Sequence, residues 1–195
     1  RDRLRSRGLG DVYKRQASSD TTFPDKLISY FSILSMLTRQ LINIPVHLGL
    51  DHLPNIYCGV AVFVLLPLYI MCSKVNAREK IGKCVILLIF LTAFNLNIPN
   101  YIWHGMHFPN SLPCRQSFIY IFFLLAMCYE AVINLKNSTN RQLGASLWIA
   151  IGLLLIMEEL FINSETEYSF KSVYISGIFT VSYTHLRAHE TGAYL

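Results

Sequence analysis

Charged residues are scarce in this chain, because Asp, Glu, Lys and Arg make up only 15% of its 195 residues. A soluble domain carries more charge than this, about a quarter of its residues, and spreads it more evenly. Here the charges gather at the chain ends and in short gaps between apolar runs, while hydrophobic residues reach 53%. This distribution is typical of a membrane protein.

The chain also lacks paired cysteines and recognisable metal ligands. None of its five cysteines forms a CxxC pair, and most lie in or beside apolar runs, which indicates small packing residues in lipid-embedded helices. His104 and His107 would hold a metal only on a helix and with further ligands, and the sequence offers none. We therefore predict no metal site and no cofactor. The cysteines are Cys58, Cys72, Cys84, Cys114 and Cys128.

The two ends of the chain can be encoded by complementary strands of one DNA sequence. Protein termini have no physical reason to be related in this way. One choice of codons for residues 6–16 encodes residues 181–191 on the complementary strand in another frame. The string resembles the adapter of a shotgun sequencing library, so residues 1–16 and 181–195 are predicted to be adapter-derived and non-native. The alternative is a basic arm that touches lipid head groups.

Removing these tails changes the charge balance. They hold seven of the 17 basic and three of the 12 acidic residues, which leaves 10 and 9 and lowers the net charge from +5 to +1. No basic surface with interleaved aromatic residues remains, so nucleic acid is not an expected partner.

Residues 55–180 are predicted to form an all-α, polytopic transmembrane helix bundle with about four full spans and a truncated fifth that begins near Ser172. A span needs about 20 mostly apolar residues, and continuous rather than alternating runs predict helices. Pro67 predicts a kink in the first span, and the second is expected to extend towards Pro99. The four runs are Asn55–Cys72, Ile81–Asn95, Ser117–Leu135 and Leu143–Phe161.

Residues 17–54 differ from these runs and are predicted to form a polar and amphipathic outer segment. Within it, Leu27–Ile44 contains Arg39 and several polar residues, so it is interpreted as an amphipathic helix that lies at the interface or packs against loops. Three carboxylates near the ends of the predicted spans are expected to reach water or a partner cation. They are Glu130, Glu158 and Glu159.

The distribution of Lys and Arg predicts the topology of the bundle. The loops at residues 73–83 and 136–142 are basic and are predicted to be cytoplasmic, while the loops at 96–116 and 162–171 lie outside. The expected location is the bacterial cell membrane, with several passes and with membrane lipids as partners.

The outer loop at residues 95–116 combines proline, asparagine, histidine and aromatic residues, and it is too apolar for a solvated linker. We predict that it dips back and packs at the mouth of a cavity, where irregular backbone is tolerated. His104, His107 and Arg115 would then meet at the membrane surface, and an arginine suits a bidentate contact with phosphate. The alternatives are an interfacial aromatic belt at this loop and a simple membrane anchor at Arg115.

Five motifs in and before this loop resemble the YfhO family of bacterial membrane proteins. The similarity covers most of the chain between Leu48 and Glu130, and beyond Leu135 it rests on topology alone. The motifs are residues 53–59 (LPNIYCG), 78–81 (REKI), 103–105 (WHG), 108–110 (FPN) and 112–118 (LPCRQSF).

The resemblance implies a membrane glycosyltransferase of the GT-C type, which moves a sugar from a polyprenyl-phosphate donor to a cell-envelope acceptor of the lipoteichoic-acid type. The catalytic carboxylate of such enzymes lies in an early outer loop that this sequence does not contain, so no catalytic residue is assigned. His104, His107, Asn110 and Arg115 are the candidates for lining the lipid-phosphate or substrate cavity. The alternative function is a transporter or flippase for an envelope lipid or polymer, for which midplane charges and repeats are expected.

Overall fold

The computed structural model describes residues 22–46, 53–109, 114–162 and 170–192. Within these ranges the chain is all-helical, as predicted, and its only extended pairing is an isolated antiparallel bridge between Ser29 and Leu96. A 3₁₀ turn covers Leu135–Asn137. The helices are α1 (Ile33–Thr38), α2 (Val62–Met71), α3 (Ala77–Asn95), α4 (Asn97–Trp103), α5 (Ser117–Ile133), α6 (Asn140–Ile162) and α7 (Phe170–Gly192).

The first predicted span is helical only from Val62 onwards, so the prediction of helix over residues 55–61 is wrong. The guanidinium of Arg39 holds the preceding backbone away from a helical path, because it donates to the Pro54 carbonyl at 3.2 Å and to Asn55 Oδ1 at 2.6 Å. Gly59 then adopts a φ of +105°, which a helix does not allow. Pro67 lies inside the shortened helix α2.

The second predicted span ends at Asn95 and does not continue unbroken towards Pro99. Leu96 is extended, with φ −104° and ψ 135°, and α4 begins immediately after it. This break places Pro99 in the first turn of α4, where a missing N–H costs no helical hydrogen bond. At the other end, the Asn76 side chain caps α3 by accepting from the Arg78 N–H at 3.2 Å.

The long apolar runs of the second half agree more closely with the prediction. Helix α5 begins at Ser117, and α6 begins at Asn140, three residues before its predicted start. Helix α7 continues past Thr180 into the predicted adapter-derived tail. The origin of that tail stays a prediction.

The segment Leu27–Ile44 is less helical than expected, since only Ile33–Thr38 forms a helix. Residues 28–31 instead run alongside the α3–α4 junction, where the Tyr30 N–H donates to the Asn95 carbonyl at 2.9 Å and the Asn97 N–H donates to the Ile28 carbonyl at 3.1 Å. These backbone bonds compete with a helix for the same groups.

The helices pack in the spatial order α7, α6, α2, α5, α3 and α4, with α1 against α6. Two clusters of buried side chains hold this arrangement together. The first includes Met36, Tyr69, Phe94, Leu124 and Met127. The second includes Leu41, Phe63, Ala150, Leu154 and Met157.

Two basic loops meet at one end of this arrangement, which we call the basic end and define as residues 72–83 and 130–142. Lys80 Nζ donates to the Ile70 carbonyl at 2.8 Å, and Gln142 Nε2 donates to the Met71 carbonyl at 2.9 Å, so both loops are tied to the last turn of α2. We call the opposite end the amide end, after its asparagines and glutamine. It comprises residues 22–46, 53–59, 95–109 and 114–116.

Large apolar side chains point outwards along several helices. Trp148 is 73% exposed, and Phe122 is 68% exposed. By length and hydropathy, one stretch among the described residues, Asn140–Glu159 in α6, is able to cross a membrane, and only 22% of it is buried inside the protein. Helices α2 and α5 are also apolar but shorter. An apolar surface of this kind is typical of contact with a membrane or a partner.

Candidate functional site

Paired asparagines position the start of the candidate site at the α3–α4 junction. Asn95 Oδ1 accepts from Ser29 Oγ at 3.0 Å and from the Phe31 N–H at 3.1 Å. Asn97 uses both ends of its amide, because Oδ1 accepts from the Ile28 N–H and Nδ2 donates to the Lys26 carbonyl at 2.8 Å. These bonds fasten the chain before α1 to the base of the predicted outer loop.

The structure brings His104 and His107 together. Their ring centroids lie 6.4 Å apart in an edge-to-face arrangement. His104 Nδ1 lies 2.9 Å from the Asn100 carbonyl, which can only accept, so Nδ1 is the protonated nitrogen. In the neutral ring, Nε2 of His104 then remains an acceptor that a ligand proton can use.

A strained turn separates the two histidines. Gly105 and Met106 both have positive φ, at +73° and +64°. The left-handed region is uncommon for a residue such as methionine, and conformations of this kind concentrate at functional sites. The Met106 N–H donates to the Tyr101 carbonyl at 3.0 Å, which closes the turn on the end of α4.

Arg115 lies exposed immediately before Gln116 and helix α5. Its position is therefore at the N-terminal end of a helix of 17 residues, where the helix dipole favours an anion. Asn110, the fourth predicted site residue, lies outside the described residues.

Aromatic side chains pack against one another in this part of the amide end. The Tyr101 ring lies 5.2 Å from that of Phe108, and the Phe90 ring lies 4.9 Å from that of Trp103. Tyr101 is buried and Trp103 is 41% exposed, so the first belongs to the core and the second reaches the surface. The alternative of an interfacial aromatic belt therefore does not apply to Tyr101.

Burial raises two pKa values in the same region. The pKa of the Cys114 thiol rises to about 12 because the group is desolvated. Burial also raises the pKa of the Tyr30 hydroxyl, although the neighbouring Asn100 amide opposes this effect. Both groups are therefore neutral at physiological pH.

Sequence reasoning did not find three buried polar residues at this end. Arg39 is only 3% exposed and donates to the Pro45 carbonyl at 2.8 Å as well as to Pro54 and Asn55, so it organises the backbone. Asn100 and Gln116 are also buried; the Asn100 amide bonds the Tyr30 hydroxyl, whereas neither polar atom of the Gln116 side chain has a hydrogen-bond partner among the described residues. The sequence showed Arg39 as a charge within the amphipathic Leu27–Ile44 segment but gave no sign that its side chain is buried.

The basic end has a different character. Lys83 Nζ bonds Glu79 Oε1 at 2.6 Å and also contacts Glu130 Oε1, and it lies 5.6 Å above the centre of the Tyr69 ring. Of the two partners expected for Glu130, water or a cation, the structure shows the cation. Glu158, near the far end of α6, instead accepts from the Tyr174 hydroxyl at 3.0 Å.

A wide apolar groove of about 540 Å³ lies between α6 and α7. Its lining includes Val181 and Ser182 of α7. In the described part of the chain, no three His, Cys, Asp or Glu side chains are grouped closely enough to hold a metal ion.

Comparison with known proteins gives one match. The family model described as "Bacterial membrane protein YfhO" matches residues 12–189, which is most of the chain. No curated protein matches the chain. No solved structure matches it either.

Proposed function

The chain belongs to the YfhO family of bacterial membrane proteins, and we propose that it is part of a multi-pass glycosyltransferase of the GT-C type. The enzyme would take a sugar from a polyprenyl-phosphate donor. It would transfer that sugar to a cell-envelope acceptor of the lipoteichoic-acid type outside the cytoplasm.

Several features of the helices support a multi-pass arrangement. Successive connections alternate between the basic end and the amide end, as they do in a bundle that crosses a bilayer repeatedly. The outward-facing apolar side chains of α5 and α6, such as Phe122 and Trp148, would contact lipid. Because Lys and Arg favour the cytoplasmic side, the basic end would face the cytoplasm and the amide end would face outwards.

The observation that carries the proposed chemistry is the position of Arg115. A polyprenyl phosphate must hold its phosphate at the membrane surface while its chain lies in the bilayer. An exposed arginine at the N-terminal end of an apolar helix offers both a bidentate guanidinium and a favourable helix dipole to that phosphate. The apolar surface of α5, with Phe118 and Phe122 exposed, would accept the prenyl chain directly below.

The two histidines would complete the anion site or carry a proton. Because Nδ1 of His104 is bonded to a carbonyl, Nε2 is the nitrogen that would bind a ligand or exchange a proton. His107 lies in contact with the first ring and is half-buried. Protonation of either ring would add positive charge to the site that Arg115 begins.

The test is transfer of labelled sugar from a polyprenyl-phosphate donor by the full-length protein. Arg115→Ala should lower the transfer rate about a hundredfold, since it removes a charge-assisted bidentate contact. Arg115→Lys should retain part of the rate, because it keeps the charge but loses the planar fork.

Arg141 provides a matched control, because it is also an exposed arginine at the start of a long apolar helix but lies at the basic end. Arg141→Ala should leave the transfer rate unchanged. Equal rates for Arg115→Ala and Arg141→Ala in proteins of equal expression would return Arg115 to the role of a membrane anchor.

A further inference from the structure

The groove between α6 and α7 is large enough for a ligand and is lined almost entirely by apolar side chains. Its volume of about 540 Å³ lies within the range of small-molecule sites. Leu154 and Val173 are buried at its floor, while Leu155 and Ile178 are exposed at its sides. Eight of the ten lining residues precede the predicted tail that begins at residue 181, so most of the groove lies outside that tail.

A glycine on α7 keeps the middle of the groove open. Gly177 belongs to the lining, and a Cβ placed on it meets no atom within 4 Å. Glycine inside a helix is destabilising by about 1 kcal/mol relative to alanine. Because no part of the described chain approaches Gly177 closely, its missing side chain adds free space to the groove rather than allowing a contact between helices.

One lining residue is charged, and it lies at the end of the groove nearest the α6–α7 connection. This residue is Glu158, whose Oε1 accepts from the Tyr174 hydroxyl at 3.0 Å. No cation of the described chain forms an ion pair with it. A carboxylate has about four lone-pair sites, and a half-buried one beside apolar surface favours a cationic partner.

The position of Glu158 matches the level of lipid head groups. The stretch of α6 that is able to cross a membrane ends at Glu159. The lining of α6 extends seven residues from Glu158 back to Ile151, which corresponds to about 10 Å of helix. One leaflet contributes about 15 Å of hydrocarbon, whereas a transmembrane helix needs about 30 Å of length and is about 10 Å wide. The groove therefore fits a lipid chain of one leaflet better than it fits a further helix.

We propose that this groove binds an acyl chain of a phospholipid whose head group carries a primary ammonium, as in phosphatidylethanolamine, and that Glu158 binds the ammonium. An ammonium has three N–H donors, and its hydrogen bonds to a carboxylate are charge-assisted. The same carboxylate repels an anionic head group, so the groove is not the place of the polyprenyl phosphate proposed for Arg115. Such a lipid site requires a membrane location but no transferase activity.

Native mass spectrometry of the full-length protein in detergent tests the head group with three phospholipids that share dioleoyl chains. Phosphatidylethanolamine has ammonium N–H groups, phosphatidylcholine has a methylated cation without them, and phosphatidylglycerol has no cation. Wild type should bind the first about tenfold more tightly than the last, with phosphatidylcholine between them. Glu158→Gln should bring all three affinities within about twofold of one another. Glu159→Gln is the matched control, because Glu159 is exposed and outside the lining, and it should keep the preference.

A second set of variants tests whether the acyl chain occupies the groove. Gly177→Leu should weaken the binding of all three lipids about tenfold, because its side chain enters the open space. Gly152→Leu should leave binding unchanged, since Gly152 also faces open space but does not line the groove. Ile178→Ala removes one side of the groove and should weaken binding severalfold, so it provides the same test if Gly177→Leu does not fold. In lipid-free detergent, the thermal midpoint of Gly177→Leu should equal or exceed that of wild type, because leucine favours a helix and meets no neighbour.

The opposite results would overturn the proposal. Equal affinity of wild type for phosphatidylethanolamine and phosphatidylglycerol, or a preference that survives in Glu158→Gln, would overturn the ammonium site. Wild-type affinities in Gly177→Leu, or in Ile178→Ala, would place the acyl chain elsewhere. A thermal midpoint of Gly177→Leu well below that of Gly152→Leu would show that a protein segment, rather than a lipid, fills the groove.

Discussion

The polar groups at the two ends of the helical arrangement have different kinds of hydrogen-bond partners. At the basic end, Lys83 is shared between Glu79 and Glu130, and Lys80 and Gln142 satisfy the carbonyls that end α2. At the amide end, the bonded groups are mostly neutral amides and backbone. Arg39 is the buried cation there, and it spreads its donors over carbonyl and amide oxygens.

The difference teaches where a ligand is expected. The Tyr69 hydroxyl is the one unpaired buried atom near the basic end among the described residues, and its ring already meets the Lys83 ammonium. Among the described residues, the amide end keeps a buried Gln116 side chain with two unpaired atoms, a strained turn at Met106 and an exposed arginine at a helix N-terminus. Saturated bonding is typical of a structural end, and unsatisfied bonding is typical of a binding end.

The largest difference between the two ends should be the side of the membrane on which each is labelled. In a cysteine-free background of the full-length protein, Ile102→Cys should react with an impermeant maleimide added outside intact cells, because Ile102 is exposed at the amide end. Lys74→Cys and Lys136→Cys, exposed at the basic end, should react only after the cells are permeabilised. Labelling in the opposite pattern would reverse the proposed topology.

Removing Arg39, the buried cation that organises the amide end, should strongly destabilise that end. Arg39→Ala leaves the carbonyls of Pro45 and Pro54 and the Asn55 side chain without their donor, which should destabilise the protein by about 3 kcal/mol or more. Arg39→Lys should recover little, since one ammonium cannot reach all three acceptors. Thermal unfolding in detergent measures the effect.

The exposed Arg141 is the control for that experiment, and Arg141→Ala should stay within about 0.5 kcal/mol of wild type. A monodisperse Arg39→Ala protein with the thermal midpoint of Arg141→Ala would show that the buried guanidinium does not hold residues 53–59 in place.

The amide end should also protect its thiol. Because burial raises the pKa of Cys114 to about 12, alkylation by iodoacetamide at pH 8 should be about a hundredfold or more slower in the folded protein than in SDS. The folded state keeps this proton at a pH where the unfolded chain loses it, so stability should fall as the pH rises above about 9. The measurement uses a protein in which the other four cysteines are replaced by serine, and fast labelling of folded Cys114 there would contradict its burial.

The sequence predicted helices well where local composition decides them and poorly where distant contacts do. Ser117 begins α5 as expected, because the apolar run that follows is sufficient to define a helix. Residues 55–61 also belong to a mostly apolar run, but a guanidinium 15 and 16 residues before Pro54 and Asn55 holds the start of that run in another path. No local pattern reveals such a bond.

The candidate site was predictable to a similar extent. The spacing of His104 and His107 and the position of Arg115 before an apolar run could be seen in the sequence. The unpaired side chain of Gln116 could not, because whether an amide is satisfied depends on its three-dimensional surroundings. The contact between Lys83 and Glu130, 47 residues apart, was expected only as an unnamed cation for the carboxylate.

The smallest effect should come from the ion pairs of the basic end. Lys83 and Glu130 are partly buried, with side chains 20% and 31% exposed, so Glu130→Gln should lower the thermal midpoint by about 2–4 °C, as a loss of about 1 kcal/mol does in a domain of this size. Glu79 binds the same ammonium but is 51% exposed and four residues away on one helix, so Glu79→Gln should cost less than half as much. In the Lys83→Met background both substitutions should become neutral, because their shared partner is gone. Equal losses from the two glutamates, or losses that persist without Lys83, would mean that the basic end is not held by this pair.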